Sequence, residues 1–280
     1  GSLRMDDDGT YLMIRTSHEM YATQDGVNHQ SNMTFQINMN DMSLTDSFTR
    51  VMNKDYGYVS HSFNQFIKVD DISLIAVDHG DANPRSIALF KYNTNFKDGK
   101  FTKENKESIQ LTEVLPFAGQ LGANYTGATV GGLEISNTHY LVAASSVAQD
   151  GSEPSDQTAN ILIGAVNKST LACELLYKTE YMQEELVSTP QLVKVNDDRF
   201  VVLYEVNQKV HYIIVDGTGK TIQEAQTIEG SLSDCQPIVY DNTLTWFTYN
   251  KDETIFYQLN IDTHEMVQKK VDTGHDYQNI

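Results

Sequence analysis

SHSFNQFIKVDDISLIAVDHGDANPRSIALFKYN, residues 60–93, holds three strand-like runs in succession. Phe63 to Val69 ends in Asp70-Asp71, and Ile72 to Val77 ends in a polar stretch, Asp78 to Arg85, which reads as a loop. Ser86 to Tyr92 follows, with Ile87, Leu89 and aromatic residues in alternation. Short runs of alternating apolar residues punctuated by Asp, Asn, Gly and Pro are the pattern of an antiparallel β-meander. A fourth strand is expected near Ser108 to Val114.

The same order of parts appears four more times. The first unit has Leu3 to Met5, the turn Asp6 to Gly9, Thr10 to Thr16, Asn32 to Met39 and an outer strand near Ser43 to Val51, with a long polar loop Ser17 to Ser31 in its middle. The third runs through Thr129 to Ile135, Tyr140 to Ser145, Asn160 to Val166 and Leu171 to Tyr177. The fourth has Pro190 to Val195, Phe200 to Glu205, Val210 to Val215 and Thr221 to Thr227. The fifth has Pro237 to Tyr240, Leu244 to Tyr249, Ile255 to Ile261 and Met266 to Val271.

Anchored on the apolar residue before the first turn (Met5, Val69, Ile135, Val195 and Tyr240), the units are spaced about 45 to 66 residues apart. The shortest spacing is close to that of a minimal four-stranded blade. A meander of this kind cannot bury both faces alone, so stacking against its neighbours stabilises it. The expected fold is all-β: a single β-propeller domain over 1–280, with five four-stranded antiparallel blades visible near 3–51, 61–114, 128–178, 188–228 and 235–271. The five are read as a closed ring or as part of a larger one. A β-solenoid and two stacked sandwiches share the repeat but fit four strands per unit less well. Thr179 to Val187 is the one stretch that reads as a turn or two of helix, and it lacks an apolar stripe.

The 38 acidic and 20 basic residues leave a formal charge of −18. That balance repels phosphate backbones and anionic lipid headgroups, which argues against nucleic acid and membrane surfaces as partners. No apolar run approaches the roughly 20 residues that span a bilayer, so membrane insertion is not expected. Gly1-Ser2 reads as a cloning remnant, which leaves room for a leader or an upstream domain. Cys173 and Cys235 are too few for a disulfide framework and lack metal-ligand spacing; both read as small buried residues.

In a four-stranded meander the start of the innermost strand and the loop between the second and third strands emerge on one face. Units one to three carry long insertions there, at Ser17 to Ser31, Asp78 to Arg85 and Ala148 to Ala159. Loops on a rigid scaffold are where binding residues concentrate. His18, His29, His61 and His79 belong to this sector, with Asn64, Asp78, Asp81 and Arg85, and together they are the candidate ligand-binding residues. Imidazole and carboxylate suit a divalent metal or a hydrogen-bonded polar ligand. The competing reading is structural: His61 hydrogen-bonds a neighbouring blade, and Asp78-His79-Gly80-Asp81 is a turn. No HExxH or EF-hand spacing occurs, so no cofactor is expected, with a divalent metal held in this sector as the alternative.

Catalytic signals are thin. Five-bladed glycoside hydrolases need carboxylates flanking one glycosidic bond, and Glu134 and Asp234 are the acidic residues near inner strands. There is no Gly-x-Ser-x-Gly elbow, and Gly217-Thr218-Gly219-Lys220 is a hairpin turn rather than a phosphate loop.

The segments SHSFNQF, VDHGDANPRSIALF and DDDGTYLMIRTSHEM resemble uncharacterised β-propeller-like repeats of large extracellular proteins from Gram-positive bacteria. The resemblance implies an exported or surface-attached module with a protein or glycan ligand and brings no catalytic residues. WD40-type signatures are absent, and the sole tryptophan is Trp246. The expected function is a binding or adhesion module acting through the long-loop face of blades one to three. A carbohydrate-active enzyme at the channel mouth and a spacer without a ligand are the alternatives.

Overall fold

The computed structural model describes residues 2–5, 9–17, 21–22, 28–29, 32–44, 49–50, 62–82, 84–92, 109–123, 125–147, 158–181, 185–250 and 253–272. Five four-stranded antiparallel sheets account for nearly all of them. The first contains β1 (Ser2–Met5), β2 (Tyr11–Ser17), β5 (Asn32–Asn38) and β6 (Thr49–Arg50), with a small ribbon of β3 (Tyr21–Ala22) and β4 (Asn28–His29) beside it. The second is β7 (Ser62–Asp70), β8 (Ser73–Asp81), β9 (Arg85–Tyr92) and β10 (Ile109–Pro116). The third is β11 (Ala128–Ile135), β12 (His139–Ser146), β13 (Asn160–Asn167) and β14 (Cys173–Tyr177). The fourth is β15 (Gln191–Lys194), β16 (Phe200–Val206), β17 (Lys209–Val215) and β18 (Thr221–Ile228). The fifth is β19 (Ile238–Tyr240), β20 (Thr243–Asn250), β21 (Glu253–Asn260) and β22 (Met266–Val271).

Each sheet is a meander in sequence order, and the first strands lie side by side: β1 by β7, β7 by β11, β11 by β15 and β15 by β19. These are the blades of a β-propeller, with the first strand of each innermost.

The sequence of the middle strands follows from this stacking. A blade between two neighbours is dry on both faces, so alternate side chains enter different cores and the strand becomes continuously apolar. In β8, Leu74 and Ala76 join Met13 and Ile67 between blades one and two, whereas Ile75 and Val77 join Val130, Tyr140 and Leu162 between blades two and three. In β12, Tyr140 and Val142 face backward, and Leu141 and Ala143 face forward onto Leu192, Phe200 and Val202. Between blades four and five lie Val201, Leu203, Tyr212, Leu244, Trp246 and Leu259. Each such aliphatic side chain contributes about 1.5–3 kcal/mol on burial. In blade five the two faces differ among the described residues: Tyr257 and Leu259 are buried, while Phe256, Phe247, Tyr240 and Ile238 on the other face are exposed.

Polar contacts tie neighbouring blades together. Arg15 and Asp78, both fully buried, join blades one and two through Nε–Oδ1 at 2.9 Å and Nη2–Oδ2 at 2.5 Å. Lys68 meets Glu134 at 2.9 Å, and Asp70 accepts hydrogen bonds from Lys168 and from the Tyr140 hydroxyl. Lys194 donates to the Ile135 carbonyl at 2.9 Å.

Three expectations differ from the structure. Asp78 to Arg85 is not a long loop, because β8 continues to Asp81 and β9 begins at Arg85. Asp78, His79 and Arg85 are buried with partners of their own, so polarity here does not mark solvent. Thr179 to Val187 forms no helix among its described residues, and Val187 instead bridges Val206 at the end of β16. Cys235 is exposed and Cys173 half-buried, so the first is not the small core residue expected. No helix of the described residues is long and apolar enough to cross a membrane.

Candidate functional site

A cavity of about 600 Å³ opens where the inner strands of blades two to five begin. Asn64 and Phe66 reach it from β7, Val130 and Gly131 from β11, and Ser188 to Gln191 from the approach to β15. Glu205 comes from β16, and Leu232 to Asp234 with Gln236 come from the approach to β19. A channel mouth is the natural place for such a cavity, since inner strands converge there without sharing hydrogen bonds.

The walls approach closely for a specific reason. β11 carries a bulge at Val130/Gly132, and a β-carbon placed on Gly131 would lie 1.6 Å from the Pro190 carbonyl oxygen. One placed on Gly132 would lie 2.7 Å from Leu192 Cβ. Only the glycine pair allows β15 to come this near, and it sets one wall of the cavity.

Three amide side chains span the mouth. Asn64 Nδ2 donates to the Val130 carbonyl at 3.2 Å, Gln236 Nε2 donates to the Gly131 carbonyl at 3.1 Å, and Gln191 Nε2 donates to the Ser233 carbonyl. A primary amide has two N–H donors and two acceptor lone pairs, so each keeps capacity after this one bond. Gln191 Oε1 and Ser233 Oγ are buried and have no hydrogen-bond partner among the described residues. Buried oxygens left this way cost about 1–3 kcal/mol each.

Two carboxylates stand on the same cavity. Asp234 is exposed; Glu205 is half-buried, and its Oε1 accepts the Leu232 N–H at 2.6 Å. The rim is held by a backbone bond from Ser188 N–H to the Glu205 carbonyl and by the Glu205 N–H donating to the Ser188 hydroxyl, and the Trp246 indole donates to the Ser231 carbonyl.

The residues named from sequence fall in different places. Asn64 lines the cavity. Asp78 is the partner of Arg15. His79 is 2 % exposed, with Nε2 at 2.8 Å from Thr126 Oγ1 and its ring edge against Phe117. The Asp81 carbonyl accepts the Gly122 N–H. Arg85 donates to the carbonyls of Ala118 at 2.8 Å, Ala123 at 2.6 Å and Tyr125 at 2.9 Å, and so fixes the segment between β10 and β11. His18 and His61 lie outside the described residues, as do residues 148–157 of the third insertion; His29 is described only as backbone in β4. Glu134 is engaged by Lys68. Among the described residues no group of three or more His, Cys, Asp or Glu side chains is gathered as a metal ion requires.

The sequence held one sign of the cavity that the histidine reading passed over. Gln191 and Gln236 stand at the same position of blades four and five, four residues before the anchors Val195 and Tyr240, and both line the cavity; Gln65 holds that position in blade two, where Asn64 beside it takes the place on the wall. An amide recurring at one place of a repeat, beside the channel, marks a shared polar role. Ser188, Thr189 and Glu205 carry no such sign.

His79 makes stability depend on pH. Burial, followed by the nearby Arg85 guanidinium, pushes its imidazole down to about 4 from the usual 6.5. As the pH falls, the unfolded chain takes up the proton first. The contribution is therefore intact above about 6.5 and is lost progressively down to about 4, by roughly 3 kcal/mol in all. Urea unfolding between pH 7 and 4 is expected to show this slope in the parent protein, and His79→Gln is expected to remove the histidine part of it.

No protein-family model and no curated protein sequence matches the chain. Solved structures of similar fold do exist. The GH93 α-L-arabinofuranosidase of Fusarium graminearum, in complex with arabinobiose, superposes with a TM-score of 0.60 at 10% identity, over 98% of this chain and 80% of that one. TolB from Acinetobacter baumannii gives 0.51 at 7% identity, over 97% and 54%. Prolyl oligopeptidase B from Galerina marginata gives 0.51 at 11% identity, over 96% and 34%. This chain thus spans about half of TolB and a third of the oligopeptidase. At such identities the likeness is one of fold, and the fold it shares with them is the all-β propeller of four-stranded antiparallel blades.

Proposed function

We propose that the channel-mouth cavity binds a neutral, hydroxyl-rich ligand, a carbohydrate. The observation that carries this reading is the amide-lined wall, in which Asn64, Gln191 and Gln236 converge beside Ser188 and Thr189. Amides and hydroxyls, each donor and acceptor at once, suit sugar hydroxyls, and Phe66 supplies an apolar surface for a ring face. The formal charge of −18 disfavours anionic ligands. The binding role expected from sequence is kept, but its centre moves from the long loops of blades one to three to the mouth between blades two and five. A secreted or surface-displayed setting goes with this reading.

Glycoside hydrolysis is the second reading, favoured by Glu205 and Asp234 standing on one cavity. An acid and a nucleophile or base must flank the scissile bond. The arabinobiose complex of the GH93 fold relative makes arabinan a sensible first polymer to try.

Affinity electrophoresis and calorimetry with arabinan, xylan, mannan and β-glucan test both. Retention by at least one polymer is expected, with affinity lowered about tenfold or more in Gln191→Ala. Released oligosaccharides that vanish in Asp234→Asn and Glu205→Gln, with binding retained, would establish hydrolysis. Binding by no neutral polysaccharide overturns the carbohydrate reading.

A further inference from the structure

A second cavity, about 410 Å³, lies beside the first, and Thr189 belongs to both. The start of β11 is their common wall, with Ala128 and Thr129 on one and Val130 and Gly131 on the other. Resting on the carbohydrate reading, we propose that this second cavity is a further saccharide subsite with Tyr125 as its stacking platform, so that the ligand is an oligosaccharide chain rather than a single sugar.

Three features support it. Tyr125 is 67 % exposed and lines the second cavity, so its ring is open to a ligand there. Its backbone is nevertheless rigid, because Arg85 holds the Ala123 and Tyr125 carbonyls and Asp81 accepts the Gly122 N–H. An exposed tyrosine ring on a hydrogen-bonded backbone has only its own side-chain torsions to order when it stacks on a ligand.

A line of hydroxyls joins the two cavities. Thr189 Oγ1 donates to Thr129 Oγ1 at 3.2 Å, and Thr129 Oγ1 lies 2.7 Å from Ser145 Oγ. Each hydroxyl has a donor and two acceptor positions, so the line can exchange hydrogen bonds with a polyhydroxylated chain passing over it.

Among the described residues the lining of the second cavity contains no Asp, Glu, Lys or Arg side chain, and His79, its one titratable ring besides Tyr125, is neutral at pH 7. The two carboxylates are confined to the first cavity. A neutral chain therefore meets an uncharged subsite at one end and the acidic pair at the other, which orders binding and any cleavage along the groove.

Calorimetry with arabino-, xylo-, manno- and gluco-oligosaccharide ladders of one to six residues tests the proposal. The expected result is an affinity that rises about tenfold once the chain reaches the second cavity. Tyr125→Ala removes that increment, leaves the shortest binding oligosaccharide unaffected, and keeps its melting temperature because the ring is exposed; Tyr125→Phe retains the increment. Affinity that is independent of chain length, or unaltered in Tyr125→Ala, overturns the subsite and leaves the carbohydrate reading standing. Absence of binding in every ladder overturns both.

Discussion

Asp78→Ala is expected to destabilise the protein by about 3–5 kcal/mol, the range for removing one partner of a buried ion pair. The Arg15 guanidinium is fully buried, bidentate to Asp78, hydrogen-bonded to the Tyr92 hydroxyl at 3.2 Å and set over the rings of Phe90 and Tyr92 at about 6 Å. Burial alone would lower its pKa, but the Asp78 carboxylate and Tyr92 outweigh that and hold it raised. Arginine cannot shed its proton in a protein, so removal of Asp78 leaves a charge with no route to neutrality. Urea unfolding reads the loss, and for a chain of this length the melting temperature falls by roughly 10 °C. The double variant Arg15→Met/Asp78→Leu should regain most of the stability, because a buried ion pair replaced by apolar groups of similar volume is about neutral. A loss below about 1 kcal/mol in Asp78→Ala would show that the pair does not hold blades one and two together.

That pair also explains where the sequence could be read and where it could not. Strand order in all five blades was legible because alternation and turn residues are local signals, and a repeat states them five times. Asp78, His79 and Asp81 look like loop residues by the same local rule. Their burial depends on partners far along the chain: Arg15 stands 63 residues from Asp78, and Thr126 stands 47 from His79. No local pattern reports such a partner. The channel mouth is divided in the same way. Asn64 and Asp234 were visible as polar residues near inner strands, and the recurrent glutamines were visible as a repeat position. Ser188 and Thr189 enter from an irregular approach to β15, fixed by its pairing with the end of β16. Tyr125 owes its place to Arg85, a residue whose sequence context suggested ligand binding and whose guanidinium instead clamps the segment that carries the ring.

Gly131→Ala tests the wall of the cavity itself and is expected to cost at least about 3 kcal/mol, at the upper end of what overpacking does. The added methyl group would meet the Pro190 carbonyl oxygen at 1.6 Å, and the obstacle is backbone, so no side-chain rotation relieves it. β11 and β15 must separate by more than an ångström, which also draws the Gly131 carbonyl away from the Gln236 amide. Because Gly131 and Pro190 both line the cavity, the variant loses carbohydrate affinity under conditions where it remains folded. Gly122→Ala is the contrast. Gly122 has φ of +82° and no heavy atom within 4 Å of an added β-carbon, so it bears only the left-handed backbone penalty, about 1 kcal/mol, and lies outside the cavity lining. Equal losses in the two variants would mean that backbone conformation, not the approach of blade four to blade three, explains the paired glycines of β11. A much larger loss in Gly131→Ala, accompanied by weaker binding, ties the bulge in β11 to the shape of the site.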